Sequence, residues 1–338
     1  MTTKMKAAQI SKYSKSLKAE INEIPIPAIA DHEVLIKVKA AAVNPLEMLI
    51  IRGEVRLIQD YSFPLTLGNE LAGTIERIGK QVKAFRVGQD VYTRLPIRKI
   101  GAFAEYAAVD ADAIASMPKN LSYAEAASMA LTGLTAYQGL HEELEAKAGQ
   151  SVFIPGGSGG FGQMAVPIAK SLKLKISVSG NAQARERTLA MGADEYLDYS
   201  KEHYADLLKD VDYVLDTLGA AEFENELKII KPGGRLLSLK TGPNKRFAED
   251  RQLPWWKRRL FSAAGAKYDK KAKKKNVQYR FIFVRSDGKQ LKEVTKIIEE
   301  NQVRPHIHTE KFALDDINAA LALVATGRPK GKVIIHFE

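Results

Sequence analysis

The segment Ser151-Val-Phe-Ile-Pro-Gly-Gly-Ser-Gly-Gly-Phe-Gly162 constrains this chain more than any other. Three apolar residues, Val152, Phe153 and Ile154, lead into Gly157, Gly159 and Gly162 at the spacing GxGxxG. A run with apolar Met164, Ala165, Ile168 and Ala169 follows. Strand, glycine turn and helix in that order make the phosphate cradle of a dinucleotide-binding unit. Gly157 is expected to permit the tight turn. Gly159 lets the backbone approach a pyrophosphate, and Gly162 lets helix and strand pack closely. Ser158, Gly160 and Phe161 complete the loop, and the helix N-terminus offers unpaired N–H groups to the anion. Pro167 lies past the first helical turn, where it should kink the helix or cost about 3 kcal/mol.

The next strand selects the cofactor. Lys175-Ile-Ser-Val-Ser179 reads as that strand, with Gly180 and Asn181 after it. A site for NAD would place an acid there to accept from the ribose 2′-OH. None occurs between Leu172 and Arg185. Ser179, Asn181, Arg185 and Arg187 stand there instead, and small donors with arginine suit a charged 2′-phosphate. The expected cofactor is NADPH. Further strand-like runs at Val211–Asp216 and Arg235–Leu239, separated by helical patterns, extend the unit into an α/β fold: a Rossmann doubly wound parallel sheet.

The chain has 338 residues, which suggests two domains. It has no cysteine, which excludes disulfides and thiolate metal sites. The N-terminus, Met1 to Ala7, precedes no apolar signal core, and no segment is apolar enough to span a bilayer, so a cytoplasmic protein without membrane partners is expected. The net charge of +11 is concentrated at Lys257-Arg258-Arg259 and from Lys267 to Lys275. A solvated helix face is the ordinary meaning of such a run. A nucleic-acid patch with Trp255, Trp256 and Tyr268 as stacking groups is the minor alternative. A basic lid that steers a phosphorylated cofactor is a third.

The first 120 or so residues are β-rich. Glu33–Lys39 alternates like a half-buried strand, and Leu71–Ile78 and Asp90–Thr93 read as further short strands. From Ser122 to Leu140 the pattern is helical. Phe281–Arg285 reads as the last strand of the dinucleotide unit. The tail holds an expected helix from Gln290 to Glu300, a second within Phe312–Val324 opened by Asp315 or Asp316, and a closing strand at Gly331–His336 that should return to the N-terminal domain. The expected division is residues 1–123 with 287–338 for one domain and 124–286 for the cofactor domain.

Five motifs in order carry a family resemblance. Asn44-Pro-Leu-Glu47, Gly68-Asn-Glu-Leu-Ala-Gly73, Leu131-Thr-Gly-Leu-Thr-Ala-Tyr137, Lys231-Pro-Gly-Gly-Arg235 and Gly331-Lys-Val333 resemble elements of the medium-chain dehydrogenase/reductase superfamily. The closest branch is its zinc-free quinone oxidoreductases and enone reductases, which Tyr279–Gly288 also resembles. The resemblance implies a β-rich GroES-like catalytic domain beside the Rossmann domain. It also implies nicotinamide-orienting roles for Thr132, Thr241 and Phe283, cofactor contacts at Leu218 and Lys332, and places Tyr199 near the adenosine phosphate. Positions that carry catalytic zinc ligands in the zinc alcohol dehydrogenases of the superfamily align with Asn44, Asn69 and Leu131, so no metal is expected. His306 and His308 lie two apart on an expected strand and read as surface imidazoles.

Zinc polarises an unactivated carbonyl as a Lewis acid. Without it, hydride transfer needs an acceptor that is already electrophilic, such as a quinone or an α,β-unsaturated carbonyl. The developing oxyanion then needs a donor. Asn44 and Tyr61 are the candidates, although Asn44 also suits a turn before Pro45 and Tyr61 suits packing on Phe63 and Leu65. In the resembling enzymes the acids at the positions of Glu47 and Glu70 are largely structural. Two alternatives stay open: a zinc-free ketone or aldehyde reductase, and an NADPH-sensing nucleic-acid-binding protein. A homodimer paired through the last strand of the cofactor sheet is expected.

Overall fold

A computed structural model describes residues 4–327 and 329–338. The first three residues of the N-terminal reading lie outside this range. The chain divides into two compact units, residues 1–134 with 285–338, and residues 135–284. The first division falls within the helix Ala130–Gln138, after the expected 123/124 boundary and after the short helix Tyr123–Ala127.

The unit of residues 135–284 is built on six parallel strands. In chain order they are Ser151–Ile154, Lys175–Gly180, Glu195–Asp198, Val211–Asp216, Ile230–Ser238 and Gln278–Phe281. Their spatial order is 3-2-1-4-5-6, the doubly wound arrangement whose crossovers put helices on both faces. Val211–Asp216 is buried at every position, as a central parallel strand must be. The last strand ends at Phe281, earlier than expected from the apolar run through Val284, so Phe283 lies past the sheet. Pro167 does not end its helix, which continues from Gly162 to Ser171 with the proline buried inside it. The missing N–H is tolerated because tertiary packing, here eight buried residues in a row, overrides local propensity.

Helix Phe223–Ile229 carries an unusual buried group into the core of this unit. Glu226 is fully buried beside Phe223 and Leu227. Loss of hydration pushes its carboxyl up to about 10, and the neighbouring charge of Asp216 adds to the shift. As a carboxylate neither oxygen finds a donor; as a neutral acid it can donate to Asp216. The folded state therefore holds a proton that the unfolded chain releases near pH 4.5. Unfolding free energy should fall as pH rises from that range toward 10. Glu226→Gln keeps a donor without the proton. It should be about 2 kcal/mol or more stabler than the parent at pH 9 and gain little at pH 5, as read by urea unfolding at both values.

The other unit is antiparallel and β-rich. The long strand Glu33–Ala42 pairs with Glu70–Ile78, Tyr106–Asp110 and Ile334–His336. The last pairing returns the C-terminal tail to the N-terminal residues, as the sequence suggested. The tail helix runs from Gly288 to Glu300, its Asp287 side chain accepting from the Gln290 N–H as an N-cap. The next element starts as a short strand, Phe312–Ala313, tightens into a single 3-10 turn at Leu314–Asp316 and continues as the α-helix Ile317–Ala325. The expected strand through His306 and His308 is a single bridge, Ile307 to Lys332.

Candidate active site

The glycine loop runs from Pro155 to Phe161 and its helix starts at Gly162. Each glycine does a separate job. A Cβ on Gly162 would lie 1.7 Å from the Gly157 carbonyl oxygen, so this residue sets the closest approach of helix and loop. The left-handed residue of the turn is Gly156, with φ of +65°, rather than Gly157. Gly157 is needed for another reason: its Cβ would meet Ile154 and Val178 side chains at 2.9 Å. Gly159 and Gly160 face open space, with nothing within 3.5 Å of either added Cβ. This bare backbone before a helix N-terminus fits a pyrophosphate, which needs N–H donors and no side chains in its way.

The second strand meets the loop directly. The Ser179 hydroxyl, buried, accepts from the Gly156 N–H at 3.3 Å. Asn181 caps the following turn by accepting from the Ala184 N–H at 3.1 Å. Gly180 is pressed against Ser158 and Tyr196 and has no room for a Cβ. The Tyr196 hydroxyl donates to the Asn181 carbonyl at 2.6 Å, and the Arg185 guanidinium lies 5.9 Å above the Tyr196 ring. Arg187 donates to the Ser158 carbonyl at 3.1 Å and so holds the loop from outside. Both arginines are exposed, as is Tyr199. These cations border the loop, and among the described residues neither forms a close ion pair; Asp198, next to Tyr199, accepts from Ser200 and feels the charge of Arg185.

On the opposite side of the first strand, Asp216 organises the turn that carries Leu218 and Thr241. Its carboxylate is fully buried. It accepts from the N–H groups of Leu218 and Gly219 at 2.6 and 2.8 Å, from Ser238 at 2.5 Å and from Thr241 at 3.3 Å. Sequence reasoning missed Asp216; the signal was an acid at a strand end before Thr-Leu-Gly, where a carboxylate can cap the turn. Phe283 is buried, and its carbonyl accepts from Arg251. Thr132 is also buried, and its hydroxyl donates to the Ser128 and Met129 carbonyls in the turn before its helix.

The unit of residues 1–134 and 285–338 holds a buried polar cluster. Asn44 follows the strand Glu33–Ala42, and Pro45 opens a short helix in which Glu47 folds back to accept from the Asn44 N–H at 2.6 Å. Glu70 opens the next strand. It accepts from the Asn44 amide at 2.9 Å and from the Leu131 N–H at 2.5 Å, in the first turn of the helix Ala130–Gln138 where a carboxylate suits the helix dipole. Asn69 donates to Glu47 at 2.7 Å. The Lys332 ammonium closes the cluster, 2.9 Å from Glu70 and 2.5 Å from the side-chain amide oxygen of Asn44. Its backbone is pinned by bonds to His306 and His308, both 2.9 Å, and Gly331 before it has φ of +102° with no space for a side chain. Glu47 and Glu70 are fully buried, and desolvation pushes Glu47 up to about 7.

This cluster unites three positions that the motif alignment picks out. Asn44, Asn69 and Leu131 are each tied to Glu47 or Glu70, and a lysine supplies the positive charge. The donor set does not fit zinc: one amide oxygen is already on an ammonium, and the third position is an aliphatic side chain. Among the described residues no group of three or more His, Asp or Glu is placed to hold a metal ion. Asn44 has both amide hydrogens committed, to Glu70 and to the Ala42 carbonyl. Tyr61 is different. Its hydroxyl has no protein partner among the described residues, its N–H is held by Tyr13 and Asp60, and burial pushes the phenol up to about 12.

Comparison with known proteins agrees with this architecture. Residues 30–119 match the alcohol dehydrogenase GroES-like domain and residues 191–335 match the zinc-binding dehydrogenase domain. A 2-methylene-furan-3-one reductase of Solanum lycopersicum is 32% identical over 99% of this chain and 79% of its own length. An NADPH-dependent alkenal/one oxidoreductase of Arabidopsis thaliana is 30% identical over 98% of the chain and 79% of its own. The fold superposes on a quinone oxidoreductase from Coxiella burnetii with a TM-score of 0.82, covering 99% and 100% of the two chains at 24% identity. A Rossmann unit and a GroES-like unit define a two-domain dehydrogenase or reductase. The chain belongs to the medium-chain dehydrogenase/reductase superfamily, in its quinone oxidoreductase-like branch. Among the described residues no helix is long and apolar enough to cross a membrane.

Proposed function

We propose that this chain is an NADPH-dependent reductase of α,β-unsaturated carbonyl compounds or quinones that works without zinc. The observation that carries this reading is the Lys332–Glu70–Asn44 cluster: Asn44, at one aligned zinc-ligand position, is already bonded to Glu70 and Lys332, and the other two positions hold Asn69, bonded to Glu47, and the aliphatic Leu131. Two relatives named for reduction of an enone-type furanone and of alkenals or enones support the acceptor class. A quinone shares the chemistry, since conjugation spreads the incoming charge onto oxygen.

NADPH supplies the hydride when bound. Gly157, Ser158, Gly159, Gly160, Phe161 and Gly162 hold its pyrophosphate, and Ser179, Asn181, Arg185 and Tyr199 surround its adenosine phosphate. Leu218, Thr241 and Phe283 of the Rossmann unit, and separately Thr132 and Lys332 of the other unit, are the further cofactor contacts that the family resemblance implies. Asn44 acts by position, bridging Glu70 and Lys332, because its donors are spent. Tyr61 carries a neutral hydroxyl at physiological pH and is the proposed donor to the oxygen on which charge develops. The terminal strand of the cofactor sheet, Gln278–Phe281, is the proposed homodimer contact.

Chelator-treated protein mixed with NADPH is expected to reduce a cyclic enone and a para-quinone and to leave a saturated ketone almost untouched, followed by loss of nicotinamide absorbance. NADPH should outperform NADH. Removing the arginine that makes no bond to the glycine loop, Arg185→Ala, should raise KM for NADPH about tenfold and leave that for NADH unchanged, because only NADPH carries the extra phosphate. Dependence on stoichiometric zinc, equal turnover of the saturated ketone, or a lower KM for NADH than for NADPH would each overturn part of this reading.

A further inference from the structure

The helix Trp255–Lys274 is the longest in the chain and packs by a narrow seam. Phe261, Gly265 and Ala272 are buried, and Tyr268 packs on the core around Phe223 and Tyr279. Gly265 has no space for a side chain, since a Cβ there would lie 2.6 Å from Asn244. The helix is therefore clamped, and its outer face is presented rigidly.

That outer face is divided along its length. Trp256, Leu260, Ala263, Lys267, Lys270 and Lys274 recur at alternating steps of four and three, so they share one side, and all six are exposed. The first half is apolar: Trp255, Trp256 and Leu260 are 67%, 47% and 43% exposed. The second half is cationic. Between Trp255 and Lys275 there are nine lysines and arginines and one acid, Asp269, so this segment carries a net charge of +8 against +11 for the whole chain. Acids of the rest of the chain neutralise little of it; Lys271 reaches Glu224.

We propose that this face docks the protein on an anionic lipid surface. Exposed tryptophans beside leucine match the membrane interface, where amphipathic rings sit at headgroup level. Clustered lysines and arginines match acidic headgroups within a Debye length. A second copy of this chain is a poor occupant, because a two-fold pairing would oppose two faces of the same charge. Nucleic acid fits less well. Lys257 already lies 5.4 Å over the Trp256 ring, on a face that a base would stack against, and Leu260 has no role on a phosphate backbone. The inference stands on the helix and does not depend on which acceptor the enzyme reduces.

Trp255 and Trp256 are the only tryptophans in the chain, so their fluorescence reports this patch alone. Titration of the intact protein with phosphatidylglycerol vesicles in low salt should shift the emission to the blue and carry the protein into the vesicle pellet. Phosphatidylcholine vesicles should bind at least tenfold more weakly. Lys267→Glu with Lys270→Glu and Lys274→Glu should abolish pelleting, and Trp255→Ser with Trp256→Ser should weaken it at least tenfold at unchanged charge. Reductase turnover of both variants in vesicle-free buffer serves as the control for folding. An unshifted spectrum with phosphatidylglycerol, pelleting unaffected by the serine variant, or retention on RNA or duplex DNA without vesicle binding would overturn the proposal.

Discussion

Replacing Lys332 with methionine is expected to lower the unfolding free energy by about 3–5 kcal/mol, the cost of leaving a buried charge without its partner. Glu70 is fully buried and has three donors, the Asn44 amide, the Leu131 N–H and the Lys332 ammonium. Only the last carries charge. Methionine matches the length of the lysine stem and leaves the packing of the bridge at Ile307 in place, so the loss measures electrostatics rather than a cavity. The double variant Lys332→Met with Glu70→Gln should cost clearly less than the sum of the two single changes, because it removes both charges together. A further signature is pH dependence. Glu47 titrates near 7 and is neutral at pH 5, so the repulsion it exerts on an orphaned Glu70 fades there. The destabilisation by Lys332→Met should therefore be smaller at pH 5 than at pH 8, as read by denaturant unfolding. Strict additivity in the double variant would show that the three side chains do not act as one cluster.

The cofactor loop was legible in the sequence and the acid–lysine cluster was not, for a physical reason. The loop is local. Strand, glycines and helix occupy consecutive residues, and backbone sterics alone dictate glycine where no side chain fits. Even there, the turn required Gly156 at positive φ, which the GxGxxG spacing does not single out from its neighbours. The cluster is assembled from four places: a strand end at Asn44, a strand start at Glu70, a helix start at Leu131 and the C-terminal tail at Lys332. Motif resemblance named all four, yet it gave Lys332 only as a cofactor contact. The ammonium on Glu70 and Asn44 emerges only when the tail strand Ile334–His336 pairs with Glu33–Ala42 and the bridge at Ile307 sets the direction of residue 332. Asn44 and Tyr61 entered as equal oxyanion donors. Their difference lies in hydrogen-bond occupancy, which is a tertiary quantity. The last sheet strand was placed late because Ile282, Phe283 and Val284 are apolar and buried, a property shared by strands and by covered connecting segments.

Alanine at Gly162 is expected to abolish measurable NADPH binding, a loss of at least a hundredfold, and to lower the melting temperature as well. The added methyl group would stand 1.7 Å from the Gly157 carbonyl oxygen and 2.5 Å from its carbon. Both are backbone atoms, so no side-chain rotation relieves the overlap, and either the loop or the helix start must move. The loop cannot move alone. Its Gly156 N–H is held by Ser179, its Ser158 carbonyl by Arg187, and Gly157 is wedged on Ile154 and Val178. A shift of the helix instead carries away the N–H groups proposed to hold the pyrophosphate. Gly160→Ala provides the contrast. Nothing lies within 4 Å of its added methyl group, so the protein should melt normally. The methyl group would nonetheless enter the open side of the loop, and affinity for NADPH should fall without a change in stability. Fluorescence titration with NADPH and thermal melting of the two variants separate the effects: both observables should move for Gly162→Ala and affinity alone for Gly160→Ala. Tight NADPH binding by Gly160→Ala would place the pyrophosphate elsewhere on this surface.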